Sequence, residues 1–125
     1  MTRRALSRRD SDTPRSDCPI ACTLDLIGDR WTLVIVRDLM LGKRRFSEFL
    51  ASAEGIKTNI LAERLKRLER TGLVERSRYQ EHPPRYQYQL TEAGRDLLPV
   101  LKAVFAWGRA HLQGVAQVPP VQLMG

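Results

Sequence analysis

Two cysteines, two histidines and no long apolar run are the first things to notice in this chain. No hydrophobic stretch approaches the roughly 20 residues of a membrane-spanning helix. The N-terminus is arginine-rich, but no hydrophobic segment follows it, so it does not read as a secretory signal. A cytoplasmic location is the expectation, and in a reducing compartment Cys18 and Cys22 are not expected to form a structural disulfide. Their spacing would suit a metal, but His82 and His111 lie far along the chain and no second close pair completes a tetrahedral set. There is no Ser/His/Asp set, no Gly-rich phosphate loop and no convergent pair of carboxylates. Neither an enzyme nor a bound cofactor or metal is expected, and no internal repeat is present.

What is present is one domain's worth of sequence. At 125 residues and 42% hydrophobic composition, the chain has room for one core. The formal charge of +7 and a pI near 10.1 favour a polyanionic partner. The charge is concentrated between Gly42 and Leu90, where Lys43, Arg44, Arg45, Lys57, Arg64, Lys66, Arg67, Arg70, Arg76, Arg78 and Arg85 outnumber the intervening glutamates.

Hydrophobic spacing orders the elements. Residues 1–17 carry no apolar stripe and read as a flexible basic tail. Pro19 suits the first turn of a helix, with Ile20, Leu24 and Ile27 at helical spacing and Gly28 at its end. Asp29 suits the N-cap of a second, central helix in which Trp31, Ile35 and Leu39 recur at i, i+4 and i+8. Its Val-Ile-Val run has strand propensity, but the period is helical, and Gly42 closes it. Phe46, Phe49 and Leu50 give a short third helix. Gly55 breaks it, and Thr58 is placed to cap a fourth, amphipathic helix with Leu61, Leu65 and Leu68 on one face. Gly72 is a good C′ residue. Leu73, Val74 and Tyr79 suit a strand, Glu81-His82-Pro83-Pro84 a turn, and Arg85–Leu90 a second strand of period two. Thr91 then caps one long final helix carrying Leu97, Leu98, Leu101, Val104, Phe105 and Leu112, with a kink expected near residues 95–99 because of Pro99. From Gly114 to residue 125 the chain reads as irregular.

The fold class is therefore mainly α with a small β-hairpin, a winged helix-turn-helix spanning residues 18–113. In such a unit the second helix of the pair lies in the major groove and its N-terminal residues meet base edges. That nominates Lys57, Thr58, Asn59, Ala62, Glu63 and Lys66 for recognition. Asn pairs with adenine and Lys or Arg with guanine. Arg67 and Arg70 are expected to reach phosphates. Arg44 and Arg45 add charge at the third helix, and Arg85 sits at the wing tip, suited to a minor groove or a phosphate. The competing reading of the fourth helix is a solvated face laced with ion pairs, which the Glu63/Arg67 spacing supports and the Lys66/Arg70 spacing opposes.

Several segments resemble the HxlR-type winged helix-turn-helix transcriptional regulators. They are Cys18-Pro19, Leu26 through Thr32, Arg45-Phe46-Ser47-Glu48-Phe49, Leu61 through Leu68, Leu73 through Arg76, Pro83 through Gly94 and Trp107-Gly108, covering about residues 18–110 in the expected order. The resemblance implies a homodimeric bacterial transcription factor that binds double-stranded DNA through the fourth helix and wing, paired through its N- and C-terminal helices. Independently, the first and last helices carry more apolar surface than a small domain needs to bury. Ile20, Leu24, Ile27, Leu101, Val104, Phe105 and Leu112 are the residues expected at the subunit interface. A two-fold dimer would read a pseudo-palindrome with half-sites about 34 Å apart or a multiple of that. Repression follows where the site overlaps a promoter, and is the expectation. No small-molecule effector is specified. The resemblance also implies an oxidant- or electrophile-sensing role for Cys18; the alternative is a small apolar side chain without chemistry. Cys22, less typical of the family, is a second thiol one helical turn away, placed as a resolving partner only if the turn distorts. A reading of another class stays open, a winged-helix module that contacts an acidic protein and has no specific DNA target.

Overall fold

The computed structural model describes residues 15–120. The stretches 1–14 and 121–125, which hold most of the expected N-terminal tail and the end of the C-terminal one, lie outside the described residues. Eight elements follow in order: α1 (Pro19–Ile27), α2 (Thr32–Met40), α3 (Phe46–Leu50), α4 (Thr58–Arg70), β1 (Val74–Gln80), β2 (Arg85–Leu90), α5 (Glu92–Arg95) and α6 (Leu98–His111). Among the described residues no helix is long and apolar enough to cross a membrane.

The central helix is α2. Its Val-Ile-Val run is helical because Ile35, Val36 and Leu39 then share one buried face. Its first helical residue is Thr32, preceded by Trp31, so Asp29 is not the N-cap proper. The Asp29 carboxylate nonetheless caps the turn from outside, accepting the Trp31 N–H at 3.0 Å and the Thr32 N–H at 3.2 Å. Glu48 does similar work for α3, reaching back to the Arg44 and Arg45 N–H groups at 2.9 and 2.8 Å. Those bonds hold the Glu48 carboxyl below the ordinary carboxylate range.

Helix α4 buries Leu61, Leu65 and Leu68, the stripe that the sequence marks. The expected cap is displaced by one residue. Lys57 has extended backbone and its carbonyl accepts the first bond of the helix, from the Leu61 N–H at 2.9 Å. Thr58 is therefore already helical and caps nothing. The other end behaves as expected: Gly72 takes φ +92°, its N–H reaches Glu69 O and the Leu73 N–H reaches Leu68 O. This pair of bonds is a Schellman motif, which only a residue tolerant of positive φ closes without strain.

The wing is a two-stranded antiparallel sheet running from Val74↔Leu90 at its root to Gln80↔Arg85 at its tip, with a bulge between Arg78 and Gln80. A one-residue third edge joins it, where Arg45 bridges Gln87 and the Tyr88 N–H donates to Arg44 O at 2.8 Å. That edge fixes the start of α3 against the wing.

The single long C-terminal helix expected from the sequence is two helices. Thr91 caps only the short α5, its Oγ1 accepting the Gly94 N–H at 3.2 Å. The chain then turns through Asp96 and Leu97, and α6 begins with Pro99 in its first turn. The cause is local. In a continuous helix Pro99 would have to donate to the carbonyl of Arg95 and its ring would clash with it; α5 ends at Arg95, and Pro99 falls where no donor is needed. Gly94 packs so closely on Leu73 O that a Cβ there would collide with it.

The core joins α2, α3, α4 and the wing root through Ile35, Val36, Phe49, Leu61, Leu65, Val74 and Leu90, with Ile27 and Leu101 from the terminal helices. Those last two correct an expectation. Ile27 and Leu101 are 5% and 8% exposed, so they face inward and not a second subunit, because the C-terminal end of α1 and the N-terminal part of α6 are the parts that meet the body. The outward apolar residues are Ile20, Leu24, Val104, Trp107 and Leu112, with Phe105 half-buried. Residues 112–120 form no helix or strand.

Candidate nucleic-acid interface

Burying one leucine stripe obliges α4 to present the opposite face. Asn59, Ala62, Glu63 and Lys66 are exposed on it, with Lys57 and Thr58 exposed at its start. No side chain caps the N-terminus of α4 and no acidic residue lies in its first turn. Its leading N–H groups, which have no intrahelical partner, are therefore open to an anionic oxygen, and the helix dipole favours one.

Two arginines of α4 do something else. Arg64 Nε lies 2.8 Å from Asp29 Oδ2, and Arg67 Nη2 lies 3.0 Å from Asp29 Oδ1. Arg67, expected on the phosphate-facing side, is half-buried against the α1–α2 corner because that carboxylate is within reach. Glu63 pairs with the adjacent Arg64, not with Arg67 four residues on. At Asp29, partial burial disfavours the charge, but hydrogen bonds from Thr32, Arg64 and the Trp31 N–H outweigh it and hold the pKa at about 2.

The wing has two unlike faces. Period-two alternation and the register place Val74, Arg76 and Arg78 on the same side as Tyr86, Tyr88 and Leu90. The apolar members sit at the root, where Tyr88 meets Phe49 edge-on at 6.3 Å. Toward the tip the same face is arginine on tyrosine: Arg76 lies 4.0 Å over the Tyr86 ring, and Arg78 donates to Tyr86 Oη at 3.2 Å and to Glu81 at 3.1 Å. Arg45 stacks 3.9 Å over Tyr79. The other face carries Glu75, Ser77, Gln87 and Gln89, with Arg85 of the same parity at the tip. Stacking keeps a guanidinium charged while ordering it. Arg85 and Arg44 are exposed. Sequence reasoning nominated Arg85, Arg44 and Arg45 but missed Arg76 and Arg78. The signal was available in the matched parity of arginines in one strand and tyrosines in the other.

The two cysteines are on α1, away from this surface in sequence. Cys18 is the N-cap residue and is exposed. The N–H groups of Ala21 and then Ile20 hold its thiol below the usual range, without closing a full capping hydrogen bond. Cys22, one turn on, donates to Ser16 O at 3.1 Å. Arg15, counted with the tail in the sequence reading, pairs with Asp25 at 2.7 Å.

Comparison with known proteins agrees with this fold. The family model for HxlR-like helix-turn-helix proteins matches residues 26–116. The HTH-type transcriptional regulator Rv3095 of Mycobacterium tuberculosis is 42% identical over 100 residues; the match covers 80% of this chain but only 62% of that protein. The HTH-type transcriptional regulator YdeP of Bacillus subtilis is 37% identical over 111 residues, covering 89% of this chain and 87% of YdeP. Among solved structures, the redox regulator HypR in its oxidised form superposes with a TM-score of 0.68 at 37% identity, covering 75% of this chain and 97% of HypR. The chain belongs to the HxlR-like helix-turn-helix family.

Proposed function

We propose that the protein is a sequence-specific transcriptional repressor that binds a pseudo-palindromic operator as a homodimer. It is a DNA-binding regulator, not an enzyme, and acts in the cytoplasm where its DNA is. The observation that carries this reading is the juxtaposition of an uncapped α4 N-terminus, an exposed polar face bearing Asn59 and Lys66, and a wing with Arg85 exposed at its tip and Arg76 and Arg78 held against Tyr86. Lys57, Asn59 and Lys66 meet base edges, with the small Thr58 and Ala62 allowing close approach. Arg85, Arg44 and Arg45 grip the phosphate rails. Pairing uses the outward apolar residues of α1 and α6, Ile20, Leu24, Val104, Phe105, Trp107 and Leu112, which supplies the two-fold that a palindrome demands.

Cys18 is the signal input. Its exposed, acidified thiol is the kind that reacts, and the likeness to HypR supports a redox role. The Cys18 thiolate attacks hydrogen peroxide and breaks its O–O bond, giving a sulfenic acid and a hydroxide that takes up a solvent proton; a second thiol, Cys22 or its counterpart in the partner, then attacks the sulfenic sulfur and expels water to form a disulfide. Cys18 shares α1 with Ile20 and Leu24, so this change bears on the pairing of subunits and hence on half-site spacing. Selection of bound fragments from a genomic pool, with and without diamide, tests the whole reading. One palindromic class should be enriched from the reduced protein and lost on oxidation, and Cys18→Ser should bind equally in both. Absence of any enriched class would remove DNA reading; an identical oxidant response in Cys18→Ser would remove only the sensor.

A further inference from the structure

One carboxylate gathers five donors from two parts of the fold. Asp29 accepts the Trp31 and Thr32 N–H groups and the Thr32 hydroxyl from the start of α2, and Arg64 and Arg67 from α4. Otherwise α4 meets the body chiefly through leucines, and apolar contact is non-directional. It sets how deep the helix sits but resists sliding or rotation weakly. Charge-assisted bonds from two arginines one turn apart are directional. The side chains of Arg64 and Arg67 are 20% and 27% exposed, whereas Lys66 between them is exposed. The helix thus keeps Lys66 outward and holds Arg64 and Arg67 against the α1–α2 corner.

We propose that Asp29 is a positioning residue for DNA reading: it locks the bearing of α4 and withholds Arg64 and Arg67 from the phosphates. Specificity gains twice. Asn59 and its neighbours meet the bases at a fixed angle, and the sequence-independent share of affinity is kept down because two guanidinium groups are already occupied. The inference rests on the DNA-binding reading above and goes beyond it, since it gives a role to a carboxylate outside the proposed DNA contacts.

The test compares wild type, Asp29→Asn, and the double variant Arg64→Gln/Arg67→Gln. Each is titrated by fluorescence anisotropy against a duplex that wild type selects from a random pool and against a scrambled duplex, over a range of salt. Circular dichroism reports the fold. In Asp29→Asn the released arginines should steepen the salt dependence on scrambled DNA, by up to about 0.9 per added phosphate contact. The ratio of specific to scrambled affinity should fall about tenfold, the size of one lost base contact. In the double variant the salt slope should stay at the wild-type value while the ratio falls. The double variant retains the Asp29 bonds to α2, so it carries the test if Asp29→Asn does not fold. A folded Asp29→Asn with unchanged slope and ratio overturns the proposal, and so does a shallower slope in the double variant, which would put those arginines on phosphate. Failure of wild type to select any duplex would instead strike the DNA-binding reading, and this inference with it.

Discussion

The two ends of this molecule bury their apolar residues differently. In α4 every leucine of the stripe is inside, and the wing root closes over Val74 and Leu90. By contrast, α1 and α6 bury only Ile27 and Leu101 between them, and leave Ile20 at 72% and Trp107 at 61% exposed. The reading half is complete within one chain. The terminal helices are amphipathic on the wrong scale for a monomer, with one face spent on the core and a second still apolar. An outward patch of that kind marks a surface made for another protein, and the pairing proposed above would cover it with a second copy.

The largest expected effect comes from poisoning that outer face. Trp107→Asp places a charge where the proposed interface needs apolar contact, while the core residues of the reading half stay untouched. Sedimentation should show monomer, and operator affinity should fall by about two to four orders of magnitude, the avidity lost when two linked sites become one. The far-UV spectrum should retain its helical signature. A variant that stays dimeric at micromolar concentration would break the contrast between the two halves, because α6 would then be exposed for some other reason.

Next in size is an acid effect, and it should fall on the reading half. Asp29 is held at about 2, below the ordinary value of 3.8. Its folded pKa is depressed, so the stabilisation is full above about pH 4 and is lost as pH falls through about 2. The amount is on the order of 2 kcal/mol. Glu54, paired bidentately with Arg37 at 2.7 and 2.8 Å, is likewise held at about 2 by that hydrogen bonding, but it is more open to solvent and contributes less. Urea titrations at pH 6 and pH 2.5 measure the difference. Asp29→Asn should lose stability at pH 6 and show a flatter pH dependence; a slope equal to wild type would mean that another carboxylate carries the acid lability.

Much of this was legible because the residues that build the fold act locally. Leu61, Leu65 and Leu68 announce α4 by spacing, and Gly72 announces its end by the one conformation it alone adopts cheaply. Some errors lie at local boundaries, and others where a distant group decides. Thr58 satisfies a local capping rule, yet Lys57 sits at the cap because the chain enters the helix one residue earlier. Spacing alone predicts a kink at Pro99 in one helix, but its clash falls on a specific carbonyl and splits the segment in two. Arg67 looked like a phosphate ligand on a helical wheel, which cannot show a carboxylate 38 residues away in sequence. Ile27 and Leu101 were grouped with their helices, although burial is a property of each residue's bearing on the body. The arginine–tyrosine face of the wing depended on cross-strand register, which alternation within a single strand does not set.

The smallest effect should separate the cations within the wing. Arg76 and Arg78 stack on or bond to Tyr86, and Arg45 lies over Tyr79, so truncating any of them disturbs packing as well as charge. Arg85 is exposed at the tip, and Arg85→Ala should leave thermal stability within about 0.5 kcal/mol of wild type. If it grips phosphate, affinity should weaken uniformly across sequences and the salt slope should drop by about 0.9 for each protomer. Anisotropy titrations on the selected duplex and on scrambled DNA measure both. Loss confined to duplexes with A·T-rich flanks would assign Arg85 to the minor groove instead. An unchanged slope on every duplex would remove the wing tip from the interface and leave Arg76 and Arg78, which the sequence did not single out, to carry the wing's share of binding.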